Sequence, residues 1–236
     1  MILIYINDIL FFIFIAFFTL LLSGVVTLII YYTKYVNESS AEKRQIYNEL
    51  NKQATNNSIV FLGDSLTDFY RTNEFFLNMD IYNRGIAGNT TNDVIKRLFE
   101  NVISISPRKI FLQIGTNDLG IKKKPDYIVN NIREIIESIK SHLPSTEVYL
   151  ISLYPINPIA MPLSKIITRP RKNQEINTIN EMLVTLASQL NLTYIDVCSH
   201  LKDAKGNLKK EYTVEGLHIS LIGYSKITEI LKPFVI

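Results

Sequence analysis

A short apolar run from Ile59 ends in Gly63-Asp64-Ser65, which sets a serine hydroxyl in a tight turn at a strand end. Such a serine becomes a nucleophile when a base removes its proton. The segment is not a G-x-S-x-G elbow, because Thr67 stands where the second glycine would be. Taken alone, Ser65 serves equally as the N-cap of a following helix. Of the 3 histidines, only His218, in Thr213-Val-Glu-Gly-Leu-His-Ile-Ser220, has a setting suited to a base. His142 ends a helical stretch before Pro144, where a cation suits the helix dipole, and His200 lies in a polar loop; both read as structural or exposed. Glu215 precedes His218 closely, and a turn at Gly216 can fold its carboxylate onto the ring, fixing the tautomer and stabilising the imidazolium. Ser65, His218 and Glu215 are therefore the candidate triad, with an exposed loop pair of little energetic weight as the alternative for Glu215 and His218. Acyl transfer also needs donors for an oxyanion. Gly88, in a glycine-containing loop, and Asn117, after a strand, can supply them, although each alone also fits an ordinary turn.

These residues need elements that bring them together. After Asn57, short apolar runs alternate with amphipathic stretches, the pattern of strand–helix units in a parallel sheet. Strands are expected at Ser58 to Leu62, Asp80 to Asn83, Lys109 to Ile114, Glu147 to Leu153 and Leu192 to Asp196. Core-facing helices are expected at Asn92 to Glu100, Asp126 to His142, Lys172 to Leu190 and Leu221 to Leu231. The fold class is α/β: a three-layer α/β/α, flavodoxin-like domain on a five-stranded parallel sheet, preceded by one N-terminal transmembrane helix. In open sheets of this kind ligands bind beyond the carboxyl ends of the strands. Gly63-Asp64-Ser65, Arg84-Gly-Ile-Ala-Gly-Asn89 and Gly115-Thr-Asn-Asp118 then share one rim. Asp64 and Asp118 read as loop-organising residues, and Asp196 as a strand-end carboxylate.

Four blocks occur in order: Gly-Asp-Ser-Leu, Asn-Arg-Gly-Ile-Ala-Gly-Asn-Thr-Thr, Gly-Thr-Asn-Asp and Glu-Gly-Leu-His. With these blocks the chain closely resembles the SGNH hydrolase superfamily, the GDSL-type esterases and lipases, from about Ile59 to its C-terminus. The resemblance implies a serine nucleophile at Ser65, a base at His218, and an oxyanion hole formed by the backbone N–H groups of Ser65 and Gly88 and the Asn117 side chain. Members usually carry aspartate where this chain has Glu215. The longer side chain must retract to keep the role, and a Ser–His dyad helped by a backbone carbonyl is the alternative. No metal or organic cofactor is implied. The expected function is a serine esterase acting on acyl esters of lipid or carbohydrate: short-chain, acetyl or lysophospholipid. The rivals are an acyltransferase on the same site, acting on cell-envelope sugar or lipid, and a non-catalytic binding domain. The proline-rich segment Tyr154 to Arg171 is long for a connection, and is expected either to shape the acyl or leaving-group pocket or to form a rigid surface loop.

Composition sets the outer limits. The 236 residues are 47% hydrophobic and carry a net charge of +3, which suits one domain with an extra element and presents no basic field for nucleic acid. The single cysteine, Cys198, excludes an internal disulfide and reads as a small apolar residue after a strand. From Ile9 to Tyr32 the chain has no charge and is long enough to cross a membrane. No Lys or Arg precedes this run and tyrosines with Lys34 follow it, which favours an uncleaved anchor over a signal peptide. The organisation expected is an anchor at 1–35, a polar stalk at 36–57 acting as a spacer with a short helix around Ala41 to Gln53, and a catalytic domain at 58–236. Lys34, Lys43, Arg44 and Lys52 weakly favour a cytoplasmic catalytic domain, while Asp8 and a short opposite flank leave the extracellular orientation open.

Overall fold

The computed structural model describes residues 2–236, with the side chains of residues 2–9, 32, 36 and 37 left aside. In chain order the elements are α1 (Ile2–Asn51), β1 (Ile59–Gly63), α2 (Ser65–Asp68), α3 (Thr72–Phe75), β2 (Ile81–Gly85), α4 (Thr91–Asn101), β3 (Lys109–Gln113), α5 (Thr116–Gly120) and α6 (Pro125–His142). They continue with β4 (Glu147–Ile151), α7 (Ser164–Thr168), α8 (Asn173–Gln189), β5 (Thr193–Ile195), α9 (Cys198–Leu201) and α10 (Leu221–Val235). The strands form one 5-stranded parallel sheet in the order β2-β1-β3-β4-β5, so the chain direction across the sheet switches between β1 and β3. This is the flavodoxin-like order.

The strands read as near-continuous apolar runs because both faces are covered. Val60, Leu62, Ile110, Leu112, Val148 and Leu150 point to one face, where they pack with α4, α6 and α8. Ile59, Phe61, Ile81, Phe111, Tyr149 and Ile151 point to the other, against Leu66, Tyr70, Phe76 and the buried side of α10. On that second face Phe61 stacks on Phe111 at 4.9 Å and Phe111 on Tyr149 at 4.7 Å between ring centroids. The in-register pairs Phe61↔Phe111 and Phe111↔Tyr149 make this ladder and hold β1, β3 and β4 in step.

Local signals explain the helix starts. Thr90 and Asp93 form a reciprocal capping box on α4, and Pro125 opens α6 at a position where a missing N–H costs nothing. Ile128, Ile132, Ile135, Ile136 and Ile139 then form the apolar stripe of α6. The last helix runs past the expected Leu231 to Val235, with Pro233 in its final turns.

Two compact units divide the chain, residues 1–42 and 43–236. In the first, α1 is long and apolar enough to cross a membrane, its most apolar window having mean hydropathy 2.7 and no buried residue. The expected stalk differs in the structure. Helix continues to Asn51, and Lys43 to Asn51 pack into the second unit rather than standing apart as a spacer. Tyr47 is buried there and its hydroxyl donates to the Gly85 carbonyl at 2.6 Å. Lys43 pairs with Asp68, and Arg84 Nη2 donates to Asn51 Oδ1 at 2.6 Å.

Candidate active site

The turn after β1 assigns its cap to Asp64 rather than to Ser65. Asp64 Oδ1 accepts the Leu66 N–H at 2.9 Å, so Ser65 becomes the first residue of α2 and its hydroxyl is free of capping duty. Ser65 Oγ instead lies 3.2 Å from His218 Nε2. The approach is held by contacts of α2 and of Tyr70, just beyond it, with α10, the helix that starts just after His218. The Tyr224 hydroxyl donates to the Leu66 carbonyl at 2.9 Å, and Tyr70 stacks on Tyr224 at 5.0 Å.

On the far side of the ring, His218 Nδ1 lies 2.7 Å from Glu215 Oε1, which also accepts the His218 backbone N–H at 2.9 Å. A proton on Nδ1 donates to the carboxylate and leaves the Nε2 lone pair facing serine. The longer glutamate fits because the turn beneath it is tight. Val214 N–H and the Thr213 hydroxyl both donate to the His218 carbonyl, and the Gly216 N–H donates to Thr213 Oγ1. Gly216 has φ +103°, and a Cβ there would sit 2.2 Å from the Asn157 carbonyl oxygen. Only glycine meets both demands. Phe69 covers the imidazole at 5.3 Å between centroids.

Gly88 is exposed in the loop after β2 with φ +81°, and Asn117 lies in α5 after β3. Asn117 Nδ2 donates to the Asn89 carbonyl at 3.0 Å, which ties the two candidate donor segments together on the rim that carries Ser65. The other expectations also find places. Asp118 accepts the Thr91 N–H and hydroxyl at 2.9 and 2.7 Å, organising the start of α4. His142 and His200 are exposed and Cys198 is buried. The segment Tyr154 to Arg171 does not line the cavity beside His218. That cavity, about 370 Å³, is walled by Phe69, Phe75, Val214, Leu221 and Tyr224 with Arg71. The segment acts on the site by hydrogen bonds instead, through Asn157 to Gly216 and Arg171 to α5. Among the described residues, no group of three or more His, Cys, Asp or Glu is placed to hold a metal.

Two arginines lie beneath the rim, Arg97 buried and Arg171 half-buried. Arg97 donates from Nε to Asn89 Oδ1 at 2.7 Å and from Nη2 to the Gly63 carbonyl at 3.0 Å, joining the Gly88 loop to the end of β1. Burial lowers its pKa to about 10. It shares the inward stripe of α4 with Val94, Leu98 and Asn101, and a cation at an inward position of that stripe was the signal available. Arg171 follows a proline in a loop, and nothing in the local pattern marks it.

Asp64 is wholly buried, and this burial raises its pKa to about 7 against the pull of the Leu66 N–H and of Arg171. Its Oδ2 has no hydrogen-bond partner among the described residues. Because the folded-state value is raised, the group's stabilising contribution is complete below the unfolded value of 3.8 and is lost as pH rises through about 7. Asparagine mimics the protonated form. Asp64→Asn is therefore expected to stabilise the fold by about 1–3 kcal/mol at pH 8 and to match the parent near pH 4, as read from denaturant unfolding at both values.

The fold is that of the GDSL hydrolases. The family model described as GDSL-like Lipase/Acylhydrolase matches residues 61–226, and this chain belongs to that family. A Streptococcus pneumoniae structure provisionally named for platelet activating factor is 31% identical, with a TM-score of 0.83 over 89% of this chain and 99% of its own. A GDSL-like lipase from Bacteroides thetaiotaomicron shares the fold at 24% identity, with a TM-score of 0.71 over 81% of this chain and 96% of its own. An Escherichia coli N-acylneuraminate cytidylyltransferase is 28% identical across 80% of this chain, which spans 45% of that longer protein.

Proposed function

We propose that the chain is a membrane-anchored serine esterase that cleaves acyl esters, preferentially of short chains, through Ser65, His218 and Glu215. The observation carrying this proposal is the hydrogen-bonded series from Ser65 Oγ to His218 Nε2 at 3.2 Å and from His218 Nδ1 to Glu215 Oε1 at 2.7 Å. Ser65 Oγ attacks the ester carbonyl and passes its proton to Nε2. The imidazolium is stabilised by Glu215 and returns the proton to the departing alkoxide. Negative charge on the tetrahedral oxygen is met by the N–H groups of Ser65 and Gly88 and by Asn117 Nδ2. Water then attacks the acyl-enzyme with His218 again as base. The apolar walls of the cavity beside His218 suit a short acyl chain, and α1 supplies the anchor.

A fluorophosphonate that mimics the tetrahedral species tests the assignment directly. The detergent-solubilised chain should take up one equivalent, located on the Ser65 peptide by mass spectrometry and blocked by prior exposure to a short-chain aryl acetate. A labelled residue elsewhere, with Ser65 unmodified, removes Ser65 from the reaction.

A further inference from the structure

Asn117 can serve an oxyanion only if its amide faces the right way, with Nδ2 toward the substrate side and Oδ1 away from it. Two partners set that orientation. Arg171, which can only donate, gives its Nη2–H to Asn117 Oδ1 at 3.1 Å, and Asn117 Nδ2 donates to the Asn89 carbonyl at 3.0 Å. A flipped amide would put its NH₂ group against the guanidinium and its oxygen against a carbonyl. One Nδ2 hydrogen is used on Asn89, next to Gly88, and the other is left for the substrate oxygen.

The guanidinium does not rest on Asn117 alone. Its Nε donates to the Thr116 carbonyl at 2.7 Å, so a single planar fork grips two successive residues of α5. The end of α5 is cut to receive it. A Cβ on Gly120 would lie 2.4 Å from Arg171 Nη2 and 2.8 Å from Cζ. Gly120 is not among the positive-φ glycines, so the absent side chain there makes room and does not relieve the backbone. Arg171 is also the nearby cation opposing the buried Asp64 carboxylate, next to the nucleophile.

We propose that Arg171 is a positioning residue of the oxyanion hole: it fixes the flip of the Asn117 amide and, as a cation on Oδ1, strengthens Nδ2–H as a donor to the forming oxyanion. The proposal rests on the esterase function above. An interaction felt only once charge has developed lowers kcat and leaves KM alone. Losing an oxyanion donor outright costs about 10²–10³ in rate, so losing its positioning should cost less, roughly 10- to 100-fold.

The experiment is a double-mutant cycle on aryl acetate turnover with Arg171→Met, Asn117→Ala and the double variant, alongside Gly120→Ala and Arg171→Lys. Arg171→Met should lower kcat roughly 10- to 100-fold with KM within about twofold, and should cost almost nothing further in the Asn117→Ala background. Gly120→Ala, which displaces the flexible end of Arg171 while keeping the arginine, should reproduce part of the loss. Arg171→Lys should restore little, because one ammonium cannot grip both acceptors. Equal losses from Arg171→Met with and without Asn117, or a loss that follows a fall in melting temperature, overturn the proposal. So does full activity in both Arg171→Met and Gly120→Ala. Failure of the esterase reading shows separately, as a parent chain without Ser65-dependent turnover.

Discussion

Ser65→Ala is expected to lower kcat on a short-chain aryl acetate by a factor on the order of 10⁶, with the fold and melting temperature unchanged. The magnitude follows from what the hydroxyl does and from what remains without it. The oxyanion donors and the cavity stay in place, so a residual acceleration over water persists, but no covalent intermediate forms. The structure makes the control clean. Asp64, not Ser65, caps α2, so the substitution removes no capping bond. Steady-state kinetics with circular dichroism on the same sample decide the matter. Undiminished turnover in a folded Ser65→Ala protein would sink the assignment of the nucleophile.

Glu215→Ala is expected to cost about 10⁴ in kcat, less than loss of the serine because the imidazole can still act as a base in some orientations. Glu215 Oε1 holds both the ring at 2.7 Å and the His218 backbone N–H at 2.9 Å, so alanine releases the ring and removes a bond that shapes the turn. Glu215→Asp keeps the charge at the position where the family usually has aspartate, and should retain most of the rate. Comparison of the two variants separates charge from turn geometry. If Glu215→Ala works at the parent rate, the enzyme is a Ser–His dyad.

The sheet was legible because burial on both faces leaves an apolar run in the central strands β1, β3 and β4, and the turn residues after β1, β2 and β3 are the candidate site residues. The strand ends were less legible. The stretch to Leu153 is buried like strand, but its Leu153 N–H and C=O pair with the Asn180 side chain at 2.8 and 3.0 Å rather than with β5. Which of Asp64 and Ser65 caps α2 could not be read from the sequence, because both side chains cap well and only the placement of His218 distinguishes them. The support from Arg171 lay hidden for the same kind of reason. A long cation finds its acceptors through tertiary contacts, and neither spacing nor polarity announces them. Residues 43–51 belong to the segment 36–57, whose polar composition reads as a spacer. Their inward face, Lys43, Arg44, Tyr47, Asn48 and Asn51, docks mostly through polar atoms, while Ile46 and Leu50 face outward at 47% and 52% exposure.

Those nine residues lie upstream of the matched family region, yet they complete it. Without Tyr47 the Gly85 carbonyl at the end of β2 loses its partner, at a cost of about 1–3 kcal/mol if it stays buried. Without Lys43, Asp68 loses its ion pair and keeps the bond from the Ala87 N–H, immediately before Gly88. A chain begun at Lys43 therefore keeps these contacts and leaves out the apolar part of α1. A chain begun at Ser58 would be recognisable as the same family while lacking the brace under the loop of Gly88.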